Sequence, residues 1–262
     1  MEQNVSFKSV ISISIASILL CGCASNAVNP KQTSEIKTQI AVEYIKIGNV
    51  DSAKNALDEA LKKNPNNALA NMTMGVTYQL VGTPSSLLKA DDFFKKAIDL
   101  EPKNPQIRNN YGQYLFVMER YEDAIEQFSN AADSIGYISR DSSLNNLGQS
   151  YLKLSNYEEA RQHFLRALQI NQRHAEALFG LAETYYQTKN FDSATEVFQD
   201  YIELIGKERL DSKGLWLGIR IDHINNDMIS MREMTEELAN KYPKSLEYRK
   251  YLTQKDSSKI WK

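Results

Sequence analysis

Apolar and small residues return along this chain at helical spacing, in paired runs. Leu144, Leu147, Gly148 and Tyr151 recur at i, i+3, i+4 and i+7, and Ala160, Phe164 and Ala167 follow at gaps of four and three. Such spacing marks one face of a helix, so residues 144–167 read as two helices. The arrangement recurs on both sides. Leu178, Leu181, Ala182 and Tyr185 precede Ala194, Phe198 and Tyr201; Tyr111, Gly112 and Leu115 precede Ala124, Phe128 and Ala131. Earlier copies carry Met74, Gly75 and Tyr78 before Ala90, Phe94 and Ala97, and Ile40, Ala41 and Tyr44 before Ala53, Leu57 and Ala60. A worn last copy has Leu217, Gly218 and Ile221, then Ser230 and Met234. Counted from Ala53 through Ser230, successive copies are 37, 34, 36, 34 and 36 residues apart. The small residues of the two helices stand 12 apart within each copy, except for 15 in the second. That copy contains Gly82-Thr83-Pro84-Ser85-Ser86, which reads as an inserted loop. Pro65 and Pro102 stop the second helices of the first two copies.

Glycine inside a helix is roughly 1 kcal/mol less favourable than alanine, so Gly148 needs a physical reason. Close approach of two helices supplies one. A small residue on each helix lets the pair pack tightly, while Tyr151 and Phe164 fill the space toward the next pair. A period near 34 with L-G-x-x-Y, A-x-x-x-F and then proline resembles the tetratricopeptide repeat. The resemblance implies an all-α solenoid of about six helix-turn-helix repeats in a right-handed superhelix, over 34–67, 68–104, 105–140, 141–174, 175–210 and 211–242. Residues 243–262 are left as a tail or a capping helix. No repeat buries its apolar face alone, so stacked neighbours share one core. Trp216 is expected to close the C-terminal end of that core, and Trp261 lies in the tail.

The 262 residues are 42% hydrophobic and 24% charged, as in an ordered soluble protein. With 31 basic and 33 acidic residues and no run of like charge, the chain lacks the electrostatic footprint of a nucleic-acid binder. Its beginning differs in kind. Lys8 precedes an apolar stretch of eleven residues, Val10–Leu20, with three serines. That is shorter than the ~20 residues that span a bilayer, and it fits the apolar core of a secretory signal. Leu20-Cys21-Gly22-Cys23 follows and resembles the bacterial lipobox. Cleavage before Cys23 leaves small Gly22 at the cut, so residues 1–22 are expected to be a signal peptide and Cys23 the lipidated N-terminus. By the same resemblance, Ala24 rather than aspartate implies sorting to the outer membrane. Residues 23–33 are read as a lipidated tether. Both cysteines of the chain lie here, so the remainder forms no disulfide.

Candidate chemistry is sparse. His163, His174 and His223 are the only histidines, and none stands in H-E-x-x-H. Carboxylate pairs such as Glu158-Glu159 and Glu236-Glu237 fit solvated helix faces. The expectation is no enzyme, no metal, no small-molecule substrate, and no cofactor beyond the covalent lipid on Cys23. What remains is the concave face lined by the first helices. The side turned away from the packing residues offers Thr38, Val42 and Ile45, then Leu69, Met72 and Val76, an apolar bed for an amphipathic partner. Farther along it offers Asn109, Gln113, Asn145 and Gln149, amides able to donate to and accept from an extended backbone, and then Phe179, Glu183 and Tyr186. Thr38 and Val42 stand where the lysine and asparagine of carboxylate-clamping tetratricopeptide domains would be, so that clamp is missing.

A short lipidated tether followed by six such repeats, with phrases such as Asn109-Asn110-Tyr111-Gly112, Arg120-Tyr121-Glu122-Asp123-Ala124 and Asn145-Asn146-Leu147-Gly148, resembles the type IV pilus biogenesis and stability proteins PilF and PilW. Membership would imply a pilotin-like role. The chain would bind a subunit of the secretin, the outer-membrane pore of the pilus, and promote its localisation and multimer assembly. The implied partners are the secretin subunit, the lipoprotein-sorting machinery and the inner leaflet of the outer membrane. Competing readings are a lipoprotein scaffold for β-barrel insertion, or an adaptor for a cell-wall hydrolase or protease.

Overall fold

Short polar side chains start most of the helices. Asn29, Asn49, Asn67, Thr83, Asn104, Asn190, Asp211 and Asp227 each accept a hydrogen bond from a backbone N–H of the first turn they precede, satisfying donors that no helical carbonyl can reach. A computed structural model describes residues 29–254. Among them it contains, in chain order, α1 (Pro30–Lys46), α2 (Val50–Lys63), α3 (Ala68–Val81), α4 (Pro84–Leu100), α5 (Pro105–Val117), α6 (Tyr121–Ala132), α7 (Arg140–Lys153), α8 (Tyr157–Ile170), α9 (Ala175–Gln187), α10 (Phe191–Ile205), α11 (Ser212–Ile224), α12 (Met228–Lys241) and α13 (Leu246–Gln254).

Each odd-numbered helix from α1 to α11 pairs with the one after it, and the odd-numbered helices also stack on one another in a row. The result is an all-α tetratricopeptide solenoid. Its buried residues form three clusters, joined through Tyr78 between the first and second and through Tyr185 and Val197 between the second and third. The described residues thus share one core along the stack, as nearest-neighbour repeats require.

The intrahelical glycines now have a cause. A Cβ built on Gly148 would stand 2.6 Å from the ring of Phe164, one on Gly112 2.7 Å from Phe128, and one on Gly75 3.0 Å from Phe94. Each glycine therefore admits the phenylalanine of its own partner helix, and all three rings are fully buried. The contact on Gly148 is this ring rather than Ala160. Phe164 also lies against Gly180 of the following repeat, so it fills the boundary between repeats as expected. Tyr151 does something else: it stacks on His163 of its own repeat, with ring centroids 5.3 Å apart. In the worn sixth copy Met234 occupies the phenylalanine place and packs on Gly218, and the helix pair is complete.

Two readings change because proline starts helices as readily as it ends them. Pro30 and Pro84 both occupy the first helical turn, where the missing N–H would have had no partner. Residues 30–33, expected as tether, therefore belong to α1. The stretch 82–86, expected as a loop, leaves only Gly82 and Thr83 outside helices, and the extra residues lengthen the start of α4. The final segment contains a helix, α13, which packs against α11. Cys21, Cys23 and Trp261 lie outside the described residues.

The turn within each repeat depends on a left-handed residue. Gly48, Gly82, Glu119, Ser155, Lys189 and Asn226 all have φ between 57° and 74°. In five of the six, the next residue's N–H closes back on a carbonyl of the first helix, as Arg120 does on Leu115 at 2.9 Å, a Schellman-type ending. A side chain in this conformation costs roughly 1–2 kcal/mol. Glycine relieves it at an unfolded-state entropy of about 0.5–1 kcal/mol. Glu119→Gly is accordingly expected to raise unfolding stability by about 0.5–1 kcal/mol, read as a higher urea midpoint at unchanged slope.

Candidate binding groove

A groove of about 1200 Å³ runs along the first helices of the third to sixth repeats and also touches Gln79 of α3. Gln113 and Phe116 of α5, Asn145 and Gln149 of α7, Phe179 and Glu183 of α9, and Trp216 and Arg220 of α11 line it, and Leu246, Glu247 and Lys250 of α13 border its far end. The two ends differ in character. Toward the C-terminus, Arg220 donates to Glu183 at 2.7 Å, with side chains only 13% and 18% exposed. The guanidinium also lies 4.4 Å from the ring centre of Tyr186 and 5.4 Å from that of Trp216. This charge is neutralised within the groove wall and stiffens it. Tyr201 borders the same end. Burial, then the charges of Asp211 and Glu176, push its pKa up to about 12, so its hydroxyl stays a donor at any physiological pH.

The middle of the groove is different. Asn145 is 7% exposed, and its amide oxygen has no hydrogen-bond partner. One repeat earlier the matching oxygen, on Asn109, accepts from Ser143 at 3.0 Å and from Asn146 at 3.3 Å. A buried acceptor without a partner costs about 1–3 kcal/mol, and this oxygen is itself closed to solvent, so the amides presented to the groove are those of Gln113 and Gln149. The arrangement offers these two amides to a peptide backbone.

Tetratricopeptide-repeat family models match residues 105–173, 139–205 and 38–78. The type IV pilus assembly protein PilF of Pseudomonas aeruginosa is 26% identical over 244 residues, which are 90% of this chain and 94% of that protein. The solved structure of P. aeruginosa PilF superposes with a TM-score of 0.76 at 25% identity, covering 86% of this chain and 98% of its own. The structure of PilW, a type IV pilus biogenesis factor, gives 0.75 at 26% identity, covering 84% and 99%. MamA, at 0.55 and 21%, shares the fold. The chain belongs to the tetratricopeptide-repeat family of PilF and PilW.

In a tetratricopeptide array the first helix of each repeat faces both the concave side and its stacked neighbours, and here the neighbours take more of it than the sequence suggests. Of the groove candidates, Gln113, Asn145 and Gln149 line the groove. Val42, Ile45, Leu69, Met72, Val76 and Asn109 do not. Met72 is 5% and Asn109 6% exposed. Val42 is half-buried, Ile45 and Val76 pack on the core, and Leu69 is 38% exposed. Thr38, offered as surface, is buried and donates to the Ser34 carbonyl at 2.7 Å, and Tyr186 is 8% exposed. The reason is α3, whose residues 70–75 are all buried between α1, α4 and α5. α3 therefore meets the groove through Gln79 alone.

The tetratricopeptide phase also hides Trp216 and Arg220. It places Leu215 and Ile219 in line with Asn145 and Gln149, yet both are fully buried. With α13 packed on α11, the groove face moves by one residue. A tryptophan with no partner in the other copies was the available signal. Burial lowers the pKa of His163, stacked on Tyr151, and of His223. Among the described residues no group of three or more potential ligand side chains is placed to hold a metal ion.

Proposed function

We propose that this chain is an outer-membrane lipoprotein that acts as a type IV pilus pilotin. Lipidation at Cys23 holds it at the inner leaflet. The groove takes an extended segment of a secretin subunit, and lipoprotein sorting carries both to the outer membrane, where the secretin multimer assembles. The observation that carries this reading is a groove lined by the amides of Gln113 and Gln149 between Phe116 and Phe179, on a chain alike in nearly its whole length to PilF. The groove walls supply apolar contact through Phe116 and Phe179, and the amides fix the register of a bound strand whatever its side chains.

The test is capture of the secretin by the lipidated full chain. Each lost amide contact removes about 0.5–1.5 kcal/mol, so Gln113→Leu with Gln149→Leu should weaken co-purification of the secretin roughly ten- to hundredfold while leaving far-UV circular dichroism unchanged. Secretin multimers should fall with it. Full capture by a folded double variant would place the binding face elsewhere. In the companion experiment, Cys23→Ala should release the protein to the periplasm and leave secretin multimers in the inner membrane. Continued lipidation of that variant would refute the assigned cleavage site.

A further inference from the structure

Where a second helix hands over to the next repeat, the usual connection is four residues, as at 64–67, 101–104 and 171–174. Between α6 and α7 it is seven, residues 133–139. The longer loop carries Ile135 and Ile138, which are 94% and 95% exposed, the two most exposed large apolar residues described. They are held outward by structure. Gly136 adopts φ 87°, the Tyr137 N–H donates to the Ser134 carbonyl and that of Arg140 to the Tyr137 carbonyl, and the Arg140 guanidinium donates to the Ala132 carbonyl at 2.6 Å. Two isoleucines on a braced projection expose apolar area with no protein beneath it.

The position of this loop identifies what meets it. Asn67 at the start of α3 donates to Ser34 near the start of α1 at 2.9 Å, and Ser143 near the start of α7 donates to Asn109 near that of α5 at 3.0 Å. The first helices therefore all begin on one edge of the solenoid, and the 133–139 loop lies on it. The chain enters on this edge too, at Asn29, six residues after Cys23, a span of about 20 Å when extended. We propose that Ile135 and Ile138 insert into the phospholipid surface to which Cys23 is anchored, giving the solenoid a second point of contact and a fixed orientation. The inference rests on the lipid-anchor reading. Asp133, Arg140 and Asp141 flank the loop, with one cation against two anions and that cation engaged, so the contact is apolar, independent of anionic lipid and insensitive to salt.

The mature lipidated chain has no free thiol, because Cys23 carries the lipid and no other cysteine follows. Ile138→Cys, labelled with an environment-sensitive fluorophore and reconstituted in phosphatidylcholine vesicles, should show blue-shifted emission quenched by brominated lipid, unchanged in high salt. The same label at Ser155→Cys, in the turn on the opposite edge, should stay water-like. Ile135→Cys repeats the reading should the first variant misfold. Protein that floats with vesicles while the probe at 138 remains water-like overturns the inference and leaves the anchor standing. A shielded probe that brominated lipid does not quench also overturns it, in favour of a protein contact. A chain that carries no acyl group and does not float sinks the anchor reading first, and this inference with it.

Discussion

Replacing Phe164 with alanine is expected to lower unfolding stability by about 3–5 kcal/mol, the largest effect of any single truncation here. The ring is fully buried and touches Gly148 on one side and Gly180 on the other. Two helix backbones form those walls, and backbones do not close over a cavity as flexible side chains do, so relaxation is small. The site is also a boundary between repeats. In a one-dimensional array stability is the sum of repeat and interface contributions, so weakening one interface should broaden or split the urea transition as well as shift it. The glycines make the complementary case. Gly180→Ala gains about 1 kcal/mol in helix propensity, yet its methyl meets Phe164 and, at 2.8 Å, the amide of Gln149. Overpacking of that kind costs about 1–3 kcal/mol, so the variant should be less stable than the parent, and Phe164→Leu in the same chain should recover part of the loss. Additive effects of the two substitutions in urea titrations would disprove the shared packing site.

Met72→Glu should cost a comparable amount, about 3–5 kcal/mol at neutral pH, the usual penalty for an unpaired buried charge. Met72 lies in the core cluster at 5% exposure. Burial raises the folded-state pKa of the new carboxyl above its unfolded value near 4.3. A raised pKa gives stability that is present below the unfolded value and lost as pH rises. The deficit relative to the parent should therefore be greatest at pH 7 and shrink as pH falls toward 5. Denaturation at the two pH values measures this. A fully stable Met72→Glu at pH 7 would put that side chain in water and return the first two repeats to the concave surface. Val42→Glu, at a half-buried position, should cost less.

The contrast between Met72 and Phe179 shows where reading the chain succeeds. Both occupy first helices, and the repeat phase treats Met72, Asn109, Asn145 and Phe179 as equivalent. Helical periodicity names the side of a helix, but it does not say how many neighbours cover that side. At Asn109 and Asn145 the same residue in the same phase gives one satisfied oxygen and one buried without a partner, because Ser143 and Asn146 reach back to the first and nothing comparable reaches the second. Pro30 and Pro84 teach a related lesson. Proline near a helix end carries the same letters at a start and a stop, and the preceding Asn29 and Thr83 caps decide.

The spacing of glycine, alanine and phenylalanine by itself determined that the chain is a stack of helix pairs and which helices pair. Those are local facts, written in residue volume and in the 3.6-residue turn. Tertiary structure alone decided which first helices open onto the groove, that Trp216 and Arg220 belong to it, and that Ile135 and Ile138 share an edge with the chain's entry. Each depends on how successive pairs stack and on the cover α13 provides, and that geometry is a sum over many packed side chains that no single motif records.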